Sequence, residues 1–260
     1  MKEKVKTIYY TNELTDEFST AQITPKYIDG KYEYLHNTPT GKIGHFFWYR
    51  MLVRPFGQAY MKLKFGHRIV NRHLWKERKG QGVFLFGNHT NAIPDAFIPS
   101  AIGFPTDAYV IVHPNNVSMP VLGKITPFLG ALPLPDDMAA AKNFMKAVKQ
   151  VIVDGKYVVI YPEAHIWPYY THIRPFTDAS FGYPISCKAD IYCFTNTYQK
   201  RRFCKTPRMV TYLDGPYTAP PDIPLKEQKK ILRDQVYETM RNRSKNNNVE
   251  IIQYCKAEDK

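Results

Sequence analysis

The stretch VFLFGNHTNAIPDAF, Val83 to Phe97, decides how this chain reads. Its first four residues are apolar, a pattern that suits a strand buried on both faces. Gly87 and Asn88 are turn formers, and Pro94 beside Asp95 suits the first turn of a helix. The stretch predicts strand, short loop and helix, with His89 in the loop and the Asp95 carboxylate at the helix start. In open α/β sheets, the loops after the carboxyl ends of strands are where ligands and chemistry collect. His89 is placed for chemistry rather than for packing.

The same pattern recurs on either side. AYVIVHP (Ala108–Pro114) and YVVIYPE (Tyr157–Glu163) read as further buried strands, and ADIYCFTNTY (189–198) and RMVTYLDGP (208–216) as later ones. Between them lie helical patterns. The first runs from Asp95 to Ile102. The second, Asp136 to Lys156, has acidic residues at its start, Met138, Phe144, Met145, Val148 and Val151 as apolar positions, and Gly155 as a stop. A C-terminal helix over 224–246 carries Leu225, Ile231, Leu232, Val236 and Met240 near helical spacing. Alternation of this kind predicts one α/β domain: a largely parallel mixed sheet flanked by helices, plus an N-terminal amphipathic helical segment.

At 260 residues and 44% hydrophobic, the chain can bury a full core as a single domain. Its 36 Lys+Arg against 23 Asp+Glu give a formal +13, an excess that favours an anionic partner. No recognised nucleic-acid motif accompanies the charge, so no nucleic-acid partner is expected. The four cysteines (Cys187, Cys193, Cys204, Cys255) have no paired spacing, which indicates neither a zinc site nor a disulfide framework and suits a reducing compartment. The first twenty residues are polar and read as no signal peptide. No window of about 18 uncharged apolar residues exists, so no spanning helix is expected. One segment, IGHFFWYRMLVRPFGQAYMKLKF (Ile43–Phe65), interleaves aromatics and aliphatics with Arg50, Arg54, Lys62 and Lys64. That mixture describes a helix lying in a membrane interface. The alternative is an amphipathic helix packed on the protein's own core.

Asn88-His89 followed by Asp95, then FLGALPLPDD (128–137), then VVIYPEAH (158–165) fall in a recognisable order. The arrangement resembles the glycerophospholipid acyltransferases of the 1-acylglycerol-3-phosphate acyltransferase type, over roughly Phe46 to Asp214. The sequence departs from that pattern in three places. Five residues rather than four, Thr90 to Pro94, separate His89 from Asp95. The family's Pro-Glu-Gly-Thr-Arg becomes Pro162-Glu163-Ala164-His165-Ile166, and the middle block has no arginine near Leu134–Asp137. The resemblance implies an acyltransferase domain over 43–260, including a membrane-facing helix at 43–65, after an N-terminal extension, 1–42. It implies acyl transfer from a thioester, acyl-CoA or acyl carrier protein, to a lysophospholipid hydroxyl, foremost 1-acylglycerol-3-phosphate to give phosphatidic acid. No cofactor or metal is expected. The protein would work as a peripheral enzyme on the cytoplasmic side of the cell membrane, against an anionic surface.

Such a reaction needs a base for the hydroxyl proton and donors for the oxyanion. A histidine oriented by a carboxylate on its far ring nitrogen supplies the base. His89 and Asp95 are the catalytic candidates, provided that the extra residue before Asp95 bulges outward and leaves the pair in reach. Asn88, Glu163, His165 and Arg174 are the substrate-binding candidates, with Glu163 either binding the acceptor or organising the site. Arg174 is assigned to the acceptor phosphate because a guanidinium grips phosphate with two parallel hydrogen bonds. Two rival readings remain: a metal-dependent hydrolase using His89, Asp95, Glu163 and His165, and a non-enzymatic anionic-membrane-binding module.

Overall fold

A computed structural model describes residues 6–18 and 23–257. Nine strands and five longer helices define the architecture among these residues. The strands are β1 (Lys6–Tyr10), β2 (Arg68–Val70), β3 (Val83–Gly87), β4 (Ala108–Val112), β5 (Ala131–Pro133), β6 (Tyr157–Ile160), β7 (Ile191–Arg201), β8 (Cys204–Tyr217) and β9 (Ile252–Lys256). The helices are α1 (Pro39–His45), α2 (Arg54–Phe65), α3 (Ala92–Gly103), α4 (Met138–Val153) and α5 (Leu225–Ser244). Seven strands form one sheet in the order β2-β8-β7-β3-β6-β4-β5, parallel throughout except for the β7/β8 hairpin. The chain is therefore an α/β fold with a largely parallel mixed sheet.

The continuous apolar runs have a simple consequence. Along β3, Phe84 and Phe86 point to one face and Val83 and Leu85 to the other, and all four are buried. The first face packs under α4 (Phe144, Val148, Val151) and α5 (Leu232, Val236, Met240). The second packs under α2 (Met61, Phe65) and α3 (Ile98, Ile102). The long helices thus cover a central sheet from both sides. Asp137 caps α4 by accepting from the Ala140 N–H at 2.7 Å, and the Met138–Val153 helix lies within the stretch expected from sequence.

The basic, aromatic segment is helical from Pro39 to Phe65. Thr38 caps its start and Pro39 takes the first position; Gly66, at φ 52°, ends it. Its middle, Phe46–Val53, is π-helical, with Arg54 N–H donating five residues back to the Tyr49 carbonyl. Tyr49 is buried, whereas Ile43, Phe46, Phe47, Met51, Leu52, Phe56 and Leu63 are exposed. Gly57 lets α2 lie close against α3, since a Cβ there would stand 2.4 Å from the Phe97 ring. Among the described residues, no helix is long and apolar enough to cross a membrane.

Parts of the 1–42 extension are woven into the molecule. Ile28 and Tyr34 are buried in the core, and β1 pairs in parallel with β9 to make a small second sheet.

Candidate active site

β3 ends at Gly87, where a Cβ would stand 2.1 Å from the Phe194 ring of β7; glycine is what lets the strand finish so close to its neighbour. The loop that follows delivers His89, and α3 begins three residues later. The helix starts at Ala92, earlier than its sequence pattern indicates, so Asp95 lies inside its first turn. The extra residue before Asp95 is absorbed by this early start. The Asp95 carboxylate folds back over the loop, and Oδ2 accepts from His89 Nδ1 at 2.9 Å and from the Thr90 and Asn91 amides at 2.9 and 2.8 Å. The positive end of α3 also favours a carboxylate there. Because His89 Nδ1 faces this acceptor, Nδ1 carries the proton in the neutral ring and Nε2 holds the lone pair.

Two further groups hold the pair, and neither is visible from local spacing. Pro99 lies inside α3 and has no N–H to give to the Asp95 carbonyl one turn back. The Tyr161 hydroxyl donates to that carbonyl instead, and its ring stacks on His89 with centroids 4.4 Å apart. Burial pushes the Tyr161 phenol well above its usual range, so it stays a donor. On the other side, Asn196 Nδ2 donates to Asp95 Oδ1 at 3.2 Å. Asn196 Oδ1 accepts from the Thr211 hydroxyl at 2.7 Å, which leaves the Thr211 oxygen to accept from His67 Nε2 at 2.8 Å. A chain of buried hydrogen bonds therefore runs from Asp95 to His67.

The four substrate-binding candidates fare differently. Asn88 is buried, and its side chain donates to the Asn196 carbonyl at 3.1 Å and accepts from the Asn196 N–H at 2.7 Å. Both ends of its amide are occupied by β7, so it is a strut and does not face substrate. Glu163 is also buried; one oxygen accepts from the His89 N–H at 3.1 Å and the other from the Arg174 N–H at 3.1 Å. Its place is to organise the site. Burial pushes its carboxyl above the ordinary value, against the pull of Arg174 and the two amides.

Arg174 corrects the sequence reading. Its exposure is 0%, and its guanidinium donates to the carbonyls of Glu13, Glu163 and His165 and sits 3.5 Å from the Glu163 carboxylate. The Trp167 ring covers it at 4.9 Å. The group that was to grip a phosphate is sealed in, because the loop after β6 folds around it. Only His165 keeps an open side, with Nδ1 3.5 Å from Glu17.

The ligand set that a metal-dependent hydrolase would need does not converge. Glu163 is turned onto backbone amides and His165 toward Glu17. Among the described residues, no group of three or more His, Cys, Asp or Glu side chains could hold an ion.

A histidine–carboxylate pair at the carboxyl edge of a mostly parallel sheet is what general-base acyl transfer needs. Residues 68–197 match the Acyltransferase family model; this is half of the chain, and the protein belongs to that family. It is an acyltransferase. Among solved structures it is similar to the 1-acyl-sn-glycerophosphate (LPA) acyltransferase PlsC from Thermotoga maritima, at 12% identity and a TM-score of 0.57. That likeness covers 84% of this chain and 87% of the other, and at such identity it is a likeness of fold. No curated protein sequence matches the chain.

Proposed function

We propose that this acyltransferase moves a fatty acyl group from an acyl thioester to the hydroxyl of a lysophospholipid, 1-acylglycerol-3-phosphate before others, at an anionic membrane surface. The observation that carries the reading is the His89–Asp95 pair, with His89 Nε2 making no hydrogen bond among the described residues. His89 Nε2 takes the acceptor's proton as the hydroxyl oxygen attacks the thioester carbonyl. The tetrahedral intermediate then collapses: the C–S bond breaks, and the thiolate leaves with the proton held on Nε2. Asp95 keeps the ring in the right tautomer and stabilises the imidazolium between these steps. No enzyme nucleophile is needed. The thioester arrives as acyl-CoA or on an acyl carrier protein, both acidic, and the formal +13 suits either. The exposed apolar row along the Pro39–Phe65 helix, flanked by cations, supports peripheral attachment to the membrane, on the cytoplasmic side in this reading.

The test is a panel of lysophospholipid acceptors given a labelled acyl thioester and vesicles. Acylation of 1-acylglycerol-3-phosphate to phosphatidic acid is expected, and transfer to no lysophospholipid overturns the reading. His89→Ala should lose about 10²–10⁴-fold in rate, the usual contribution of a positioned base. If it keeps more than about a tenth of the rate, the base lies elsewhere.

A further inference from the structure

The β7/β8 hairpin carries a feature that the acyl-transfer chemistry does not use. Residues 199–208, QKRRFCKTPR, hold five cations (Lys200, Arg201, Arg202, Lys205 and Arg208) and no acid. At the turn, between the paired Arg201 and Cys204, stands Phe203, 88% exposed. A large aromatic this exposed at a hairpin tip, with the Arg202 guanidinium over its ring at 5.2 Å, contributes little to folding.

Its position is fixed by three contacts. β7 stays paired with β3 as far as Phe194, opposite Gly87, and then continues past the carboxyl edge of the sheet. Tyr198 is level with the histidine loop, since its hydroxyl meets Thr90 Oγ1 at 2.8 Å. Arg201, the last residue of β7, lies three residues further, about 10 Å at some 3.3 Å per residue, and Phe203 stands in the turn beyond it. Arg201 meanwhile donates to the Lys64 carbonyl at 2.9 Å, joining the hairpin to the end of α2, where Lys62 and Lys64 flank Leu63, itself 79% exposed. The apolar, cation-flanked row along Pro39–Phe65 therefore ends beside the hairpin.

We propose that the tip of the β7/β8 hairpin is a second membrane-insertion point: Phe203 enters the interface of an anionic phospholipid bilayer while Lys200 and Arg202 meet its headgroups. The inference rests on the membrane-surface reading above and extends it to an element on another part of the chain. Charge complementarity favours a bilayer, as does continuity with the exposed row along Pro39–Phe65. Two insertion points at different places on the molecule fix its orientation, which one helix lying in the interface does not. The hairpin's projection past the carboxyl edge turns the His89 loop toward the lipid.

Co-sedimentation with phosphatidylcholine vesicles, with and without phosphatidylglycerol, tests this for the whole protein. Phe203→Ser should bind anionic vesicles about tenfold less tightly, and Lys200→Gln with Arg202→Gln about fivefold less tightly per charge removed. Phe203→Trp should add a tryptophan emission that bromolipid quenches beyond the wild-type signal. An unchanged melt for Phe203→Ser shows that the fold is intact. If the wild type ignores anionic vesicles, the membrane reading fails and this proposal with it. If the wild type binds and Phe203→Ser binds equally, the hairpin proposal alone is overturned. Should Phe203→Ser keep vesicle binding and lose only transfer from a protein-borne thioester, the tip belongs to an acidic carrier protein, and the membrane assignment is wrong.

Discussion

Arg174 shows what happens when a charge is carried where water does not reach. A buried cation needs a counter-charge and hydrogen bonds to survive, and here Glu163 faces the guanidinium while its two terminal nitrogens donate to three carbonyls, with Nε left unpaired among the described residues. Removing one partner leaves the other uncompensated. Arg174→Met should therefore cost about 3–5 kcal/mol of stability in urea unfolding, and the double change with Glu163→Gln should cost less than that. A substrate-gripping arginine would behave the opposite way, with stability kept and KM for the phosphate acceptor raised. The sequence shows His89 and Asp95 because both fall in one fifteen-residue stretch whose strand, loop and helix are each locally encoded. It does not show Tyr161 or Asn196, which reach Asp95 from 66 and 101 positions along the chain. Nor does it show that Asn88 and Arg174 turn inward, because residue type says what a side chain can bond and not which partner gets there first.

Among the elements, the long periodic ones were legible and the short ones were not. β3, β6, α4 and α5 announce themselves by apolar runs or helical spacing. β2 and β5, three residues each, exist because neighbouring strands offer them hydrogen bonds, and no local pattern of so few residues marks them. The Pro39–Phe65 segment is the instructive intermediate. Its amphipathic character is plain, but whether its aromatics face core or solvent depends on packing, and the structure divides them. Tyr49 goes inward, while Ile43, Phe47 and Met51 form an exposed row four residues apart. Changing those three to Ser should weaken anionic-vesicle binding at least tenfold, since each gives up apolar surface that would otherwise enter the interface. The melt should hardly move, because exposed substitutions stay within about 0.5 kcal/mol each. A collapsed melt would mean that the row packs on the protein after all.

For the molecule as a whole, the buried hydrogen-bond chain behind Asp95 ties stability to pH. His67 ends that chain as a donor to Thr211, and burial, helped by the charge of Lys62, pushes its pKa from 6.5 down to about 4. The unfolded chain takes up this proton near pH 6.5, whereas the folded chain refuses it until about pH 4. Between those values the unfolded state binds the extra proton, so the His67 contribution is complete above pH 6.5 and drains away as pH falls toward 4. At about 1.4 kcal/mol per unit this amounts to at most about 3 kcal/mol, and less in so far as water reaches the ring. Burial pushes His36 in the same direction. Glu163 works the other way, because its raised pKa stabilises the fold below the ordinary carboxyl value of 4.5 and loses that contribution as pH rises. Asp107 enters only at lower pH. Burial raises its carboxyl, but hydrogen bonds from His45 and Arg50, and their charges, outweigh that and hold it well below the usual range. A single stability curve mixes these terms, so the measurement is a difference. Wild type and His67→Gln are unfolded in urea at a series of pH values from 7.5 to about 4. Wild type should lose stability relative to the variant by up to about 3 kcal/mol across the window. Two parallel curves would mean that His67 is protonated as readily in the folded chain as in the unfolded one, and that the chain from Asp95 does not end on a neutral histidine.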